Sequence, residues 1–260
     1  MTPNSLPESR LGNRSTQPVV VAIHQPNFFP WLGYFDKLAR ADVFIALDHV
    51  QFPKTQGNWG NRVQLLVGGK AKWTTVPIRR DYHGVRRFDE MLIADEEPWR
   101  KGMLQTLRTN YGKAAAFDEV FSALEPLVLN STNSLARFNL EAVRMVARRL
   151  RIDEAKIISS STLAVDGCAT DMLIALIRSV GGTSYLCGGG SAGYLEREKF
   201  ASAGIELVEQ NFKHPVYQQL RAETFTPGLS CIDALMNCGF ERTAAWFERP
   251  SDSESRRDAA

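Results

Sequence analysis

The chain has 260 residues and a mass of 29.0 kDa, enough for one generous domain or a domain with a sub-domain. Hydrophobic residues at 44% and charged residues at 23% are globular composition and exclude a disordered or fibrous protein. Lys and Arg number 31 against 29 Asp and Glu; the net charge of +2 excludes a polyanion binder driven by overall charge but leaves room for a local basic site.

The longest apolar runs, such as Val19 to Ile23 and Val43 to Leu47, are far shorter than the roughly 20 residues of a bilayer span. Cys168, Cys187, Cys231 and Cys238 form no CxxC pair and do not read as a disulfide framework. The opening MTPNSLPESRLGNRSTQP has no apolar segment of the secretory kind, so a cytoplasmic protein is expected. Residues 1–18 and 250–260 read as disordered arms around one domain over 19–249.

That domain opens with Pro18–Ile23, a short apolar run suited to a strand buried on both faces. The loop His24-Gln-Pro-Asn-Phe-Phe-Pro30 follows, then a helix over Trp31–Ala41 and a second strand over Asp42–Asp48. This is a βαβ unit, which predicts a parallel sheet. Asn61–Leu66 and Lys72–Ile78 read as a hairpin around Gly68-Gly69. Helical spacing over Glu97–Tyr111, Phe117–Leu129 and Ser134–Leu150 predicts a helical insertion at about 95–150. Strands at Lys156–Ser159, Thr183–Cys187 and Glu206–Glu209 alternate with helices over Thr170–Val180, Tyr194–Ala203 and Cys231–Asn237. The expected class is α/β, a mostly parallel sheet with flanking helices and a Rossmann-like opening.

Ligands of open parallel sheets bind beyond the carboxyl ends of the strands. Four segments with unusual chemistry fall there. In the first, His24 offers a base or anion contact, with Gln25 and Asn27 as positioning amides in a loop stiffened by two prolines. The second presents Asp48, His49, Gln51 and Lys54; Asp48 or His49 would orient His24 or act as a base. Asn61 and Arg62 follow, and an arginine beside amides suits a carboxylate or phosphate. The third, Cys187-Gly188-Gly189-Gly190-Ser191, looks like an anion-cradling glycine turn, although it matches no strict phosphate-loop pattern. Cys187 is a candidate nucleophile there, a buried inert cysteine being the commoner case. The fourth, around His214, would add a cation. No ligand pair has zinc spacing, so no metal is expected. The aromatics are scattered, so no nucleic-acid platform is expected either.

The stretch HQPNFFPWLGYFDKLARADVFIALDHVQF resembles the WbqC-like family. Asn61-Arg62, Tyr185–Leu195 and Ser230–Gly239 fit it too, so the likeness covers roughly residues 19–240. The resemblance implies a place in the biosynthesis of O-antigen, related surface polysaccharides or secondary metabolites, one proposed role being transfer of glycine onto an amino sugar. His49 stands where the resemblance leads one to expect a second acid, and Cys187 where it leads one to expect a serine. The opening is also similar, at the level of fold alone, to HUP-type nucleotide enzymes that form adenylates, such as the pantothenate synthetases.

The leading expectation is therefore an enzyme that forms an amide by acyl or aminoacyl transfer. Its donor would be an adenylate made from ATP or a carrier-bound thioester, and its partners a small molecule or nucleotide-sugar and a carrier protein. Two alternatives are a non-catalytic nucleotide-sugar-binding or scaffold protein and a hydrolase using Cys187 and His24.

Overall fold

The structure, a computed structural model, describes residues 17–53, 59–96, 98–188 and 196–248. The arms expected over 1–18 and 250–260 lie outside the described residues except for residues 17 and 18, and Lys54, Gly189, Gly190 and Ser191 lie outside them as well.

The first apolar run forms strand β1 (Val20–His24), and its last residue is His24. Helix α1 (Leu32–Arg40) begins just after Pro30 and Trp31, and β2 (Val43–Ala46) follows it. Strands β3 (Arg62–Val67) and β4 (Lys70–Thr75) make the expected hairpin. Its two-residue turn, Gly68-Gly69, has φ of 60° and 76°, which only glycine adopts without strain. Three helices, α2 (Trp99–Tyr111), α3 (Phe117–Val128) and α4 (Leu135–Arg149), occupy the expected insertion. The hydroxyl of Ser134 caps α4 by accepting the Arg137 N–H. The remaining elements are β5 (Ile157–Ser159), α5 (Ala169–Ser179), β6 (Ser184–Cys187), α6 (Arg197–Ser202), β7 (Glu206–Glu209) and α7 (Cys231–Ala244). The last helix runs beyond the expected Asn237 and is kinked at Gly239, where φ is 77° and ψ 170°.

Five strands form one parallel sheet in the order β5-β2-β1-β6-β7. Numbered along the chain, these strands run 3-2-1-4-5, so the winding reverses between β1 and β6. Side chains alternate across the sheet. Ala22, Phe44, Ala46 and Leu186 enter a core shared with α1 and α2–α4. Val21, Ile23, Ile45 and Tyr185 enter a second core with α5 and Phe200 of α6. The sheet is thus covered on both faces, which is why the central strands β1 and β2 read as continuous apolar runs.

At the reversal, β1 and β6 pair only through Val20–Ser184 and Val21–Tyr185. Beyond these residues the two strands separate toward their carboxyl ends, opening the crevice that this winding creates.

One buried carboxylate ties α7 to the rest. Asp233 accepts from Tyr111 Oη at 2.9 Å, Tyr217 Oη at 2.8 Å and Gln219 Nε2 at 2.9 Å. Burial pushes its pKa up, and the three donors oppose that shift. Asp233→Ala strands two buried hydroxyls, and urea unfolding should show a stability loss of at least about 3 kcal/mol.

Candidate active site

The crevice between β1 and β6 is a cavity of about 760 Å³. His24 and Gln25 line it from the end of β1, Tyr34 and Lys37 from α1, Gly188 from the end of β6, and Gln210 from the residue after β7. Its opposite wall is apolar, with Leu47, Met172, Leu173 and Phe212. The imidazole near the amino end and the start of the glycine turn therefore share one cavity.

The His24–Pro30 loop is held largely through its carbonyls, because Pro26 and Pro30 have no N–H to offer, while Phe28 N donates to Trp59 O at 2.9 Å. Asn139 Nδ2, on buried α4, donates to Pro26 O at 2.7 Å and to Gly60 O at 2.6 Å. Ser230 Oγ donates to Phe29 O at 2.7 Å, and Cys231 N to Pro30 O at 2.9 Å. Phe29 sits at φ 37° within this loop, and Asn211 (47°) and Ala169 (49°) line the cavity with positive φ. Backbone strain of this kind persists where the surroundings over-determine it, commonly at functional sites.

His24 is half-buried, and its ring packs on Tyr34 with centroids 4.9 Å apart. Its Nδ1 lies 3.2 Å from Gln25 O. A carbonyl can only accept, so Nδ1 carries the proton and Nε2 presents a lone pair. Burial, with help from the nearby Lys37 charge, lowers the His24 pKa to about 4, so the ring is neutral at pH 7.

Lys37 is 5% exposed. Burial lowers its pKa to about 8, opposed by Cys187 and Asp36, so it is still protonated at neutral pH. The adjacent carboxylate, Asp36, is engaged by Gln210 Nε2 at 2.9 Å and Arg40 at 3.4 Å. The Tyr34 hydroxyl is buried without a hydrogen-bond partner, and burial pushes its pKa up. A Cβ placed on Gly33 would lie 2.2 Å from the Trp31 ring, so the indole folds closely over this glycine and would have to shift for any larger residue.

Several expected site residues lie elsewhere. Asp48 does not hold His24. Residues 47 and 48 alternate, Leu47 entering the cavity and Asp48 turning toward β5. There Ser160 Oγ donates to Asp48 Oδ1 at 2.9 Å, and Ser161 donates through its N–H at 2.8 Å and its Oγ at 3.0 Å. His49 Nδ1 is 2.6 Å from the same Ser160 Oγ. That hydroxyl spends its proton on Asp48, so His49 donates to it rather than serving the cavity. Cys187 is buried in the second core and its thiol donates to Val208 O at 3.5 Å, which takes it out of the cavity wall. Arg62 lies over the Trp73 ring at 4.1 Å on the hairpin instead of meeting His24. Asn61 Nδ2 donates to Val76 O at 3.0 Å, Gln51 is exposed in a bridge to Arg87, and Asn27 is buried off the cavity. His214 is not a cation at the mouth. Burial lowers its pKa, its Nε2 accepts Gly228 N–H at 3.1 Å, and its ring backs Trp31.

Lys37, Tyr34, Gln210 and Asn139 are the residues that the reading of the sequence passed over. Lys37 had one usable signal, its i+4 spacing from Gly33 in the helix that follows the His24 loop. Asn139 had another, a carboxamide among the apolar positions Leu135, Phe138 and Ala142 of one helix. Among the described residues no group of three or more His, Cys, Asp or Glu could hold a metal ion, and no helix is long and apolar enough to cross a membrane.

A parallel sheet wound 3-2-1-4-5 with a cavity at the reversal defines an α/β protein of the Rossmann-like class. Residues 25–245 match the model of the WbqC-like protein family, and the chain belongs to that family. It is 30% identical over 223 residues to "Uncharacterized protein Rv1507c" of Mycobacterium tuberculosis (strain ATCC 25618 / H37Rv), covering 85% of this chain and 94% of that protein. No solved structure matches the chain.

Two measurements check this site. Asn139→Leu leaves the Pro26 and Gly60 carbonyls without their donor, and should cost about 2–4 kcal/mol in urea unfolding. The His24 pKa lies below its unfolded value of about 6.5, so between the two the unfolded chain binds more protons. The His24 contribution to stability is therefore present above pH 6.5 and lost as pH falls toward about 4. His24→Gln should flatten that part of the stability–pH curve.

Proposed function

We propose that the chain is an enzyme forming an amide by transfer of an acyl or aminoacyl group, glycyl among the candidates, onto an amine of a sugar or metabolite. The observation that supports this is the pairing, in one cavity, of a neutral imidazole whose Nε2 is unprotonated with a buried ammonium. Acyl transfer to an amine needs both. The amine nitrogen attacks the carbonyl carbon, the C–N bond forms, and the amine proton passes to His24 Nε2. Negative charge on the carbonyl oxygen is stabilised by the Lys37 cation. The bond from carbon to the leaving phosphate or thiolate then breaks, and that group departs with the electron pair.

Gln25 holds the imidazole through its carbonyl, the role first expected of Asp48. Surface-polysaccharide or secondary-metabolite biosynthesis is the setting that family membership suggests for such chemistry.

The test is a mass-spectrometric screen of amino-sugar and other amine acceptors with ATP plus glycine, and separately with acyl-carrier thioesters. The wild-type chain should yield an amide product, and His24→Ala should cut turnover by about 10²-fold or more. The rate should fall on the acid side as His24 protonates near pH 4 and on the alkaline side as Lys37 loses its proton near pH 8. Full turnover by folded His24→Ala protein would remove the assignment.

A further inference from the structure

Lys37 is 95% buried by the complement of its 5% exposure, lines the cavity, and has no hydrogen-bond or ion-pair partner among the described residues. Asp36 and Cys187 favour its charged form without bonding to it, and a largely buried ammonium that lacks a hydrogen-bonded partner is costly to a fold. The nearest candidates decline that role: Asp36 is held by Gln210 and Arg40, and the Cys187 thiol donates to Val208 O. Tyr34, one turn before Lys37 on α1, adds a second buried polar group with no partner on the same cavity.

The surroundings favour an anion. No side chain caps the N-terminus of α1, and Gly33 in its first turn lines the cavity. Opposite, a Cβ on Gly188 would lie 3.4 Å from Lys37 Nζ and 3.9 Å from Gln210 Oε1, so glycine keeps open the space beside the ammonium. The apolar wall of Met172, Leu173 and Phe212, and a volume of about 760 Å³, suit a ligand as large as a nucleotide.

We infer that Lys37 is the anchor of a phosphate-binding subsite, and that the ligand of the cavity is a phosphorylated small molecule, either a nucleotide or a nucleotide-sugar. This rests on the reading of the cavity as the substrate site but not on the amide-forming reaction assigned to it.

The experiment measures binding without turnover. ATP, UDP-glucose and inorganic phosphate are titrated into the wild-type chain and into Lys37→Met by calorimetry, with melting temperatures read alongside. Wild type should bind at least one of the three at millimolar concentration or below, and Lys37→Met should bind it about tenfold or more weakly. Without ligand, Lys37→Met should melt at a higher temperature, because a largely buried charge that no hydrogen bond holds has left the interior. Tighter binding of ATP than of UDP-glucose, or the reverse, supports the subsite and identifies the ligand class. If Lys37→Met does not fold, cyanate labelling of wild-type Lys37, read by mass spectrometry, replaces it: slowing by the bound probe supports the subsite, and an unchanged rate overturns it. Failure of all three probes to bind, or equal affinity in Lys37→Met, also overturns the proposal. Lys37-dependent binding with no amide product would sink the reaction and leave the subsite standing.

Discussion

The loop between His24 and Pro30 is the constraint on which the site depends. Two of its residues are prolines, so it cannot close on itself through a ladder of N–H donors. Its carbonyls are met instead by Asn139 on α4 and by Ser230 and Cys231 at the start of α7. Each donor lies more than a hundred residues away in the chain. Fixing this loop sets the direction of His24, the start of α1 and the fold of Trp31 over Gly33. Buried helices thus transmit their rigidity to one short irregular segment, which is where a pre-organised site needs it.

Once the loop is fixed, the cavity follows from the sheet. β1 and β6 share two residue pairs and then part, and the space between their ends is closed by α1 on one face and α5 on the other. Burial then acts on both basic groups in the same direction. It makes His24 neutral at pH 7, and it brings Lys37 close to neutrality while leaving it charged. One site thereby holds a proton acceptor and a cation side by side, which two exposed side chains in water would not provide.

The fold was legible where the signal is local. Apolar runs of about five residues marked β1 and β2, the paired glycines 68 and 69 marked a two-residue hairpin, and Ser134 marked the start of α4. The site was legible only in part. His24 could be placed because it ends a strand, and Gln25 and Gly188 because each follows one directly. Asp48 follows a strand too, yet it faces β5, because β2 has a neighbour on each side and residue alternation sends Leu47 and Asp48 apart. Cys187 ends a strand but points into a core. The reading of Arg62 took proximity in the chain for proximity in space, whereas the hairpin carries that side chain onto Trp73.

What the amino-acid order determined by itself was the set of elements, their α/β alternation and the imidazole at the end of β1, since these depend on patterning and backbone chemistry within a few residues. The tertiary structure alone decided the 3-2-1-4-5 strand order, the choice of Gln25 rather than Asp48 to hold His24, and the burial of Lys37 with no hydrogen-bond partner among the described residues. Those features depend on which distant segments pack together and on how much water they exclude, and neither quantity is written in a local spacing.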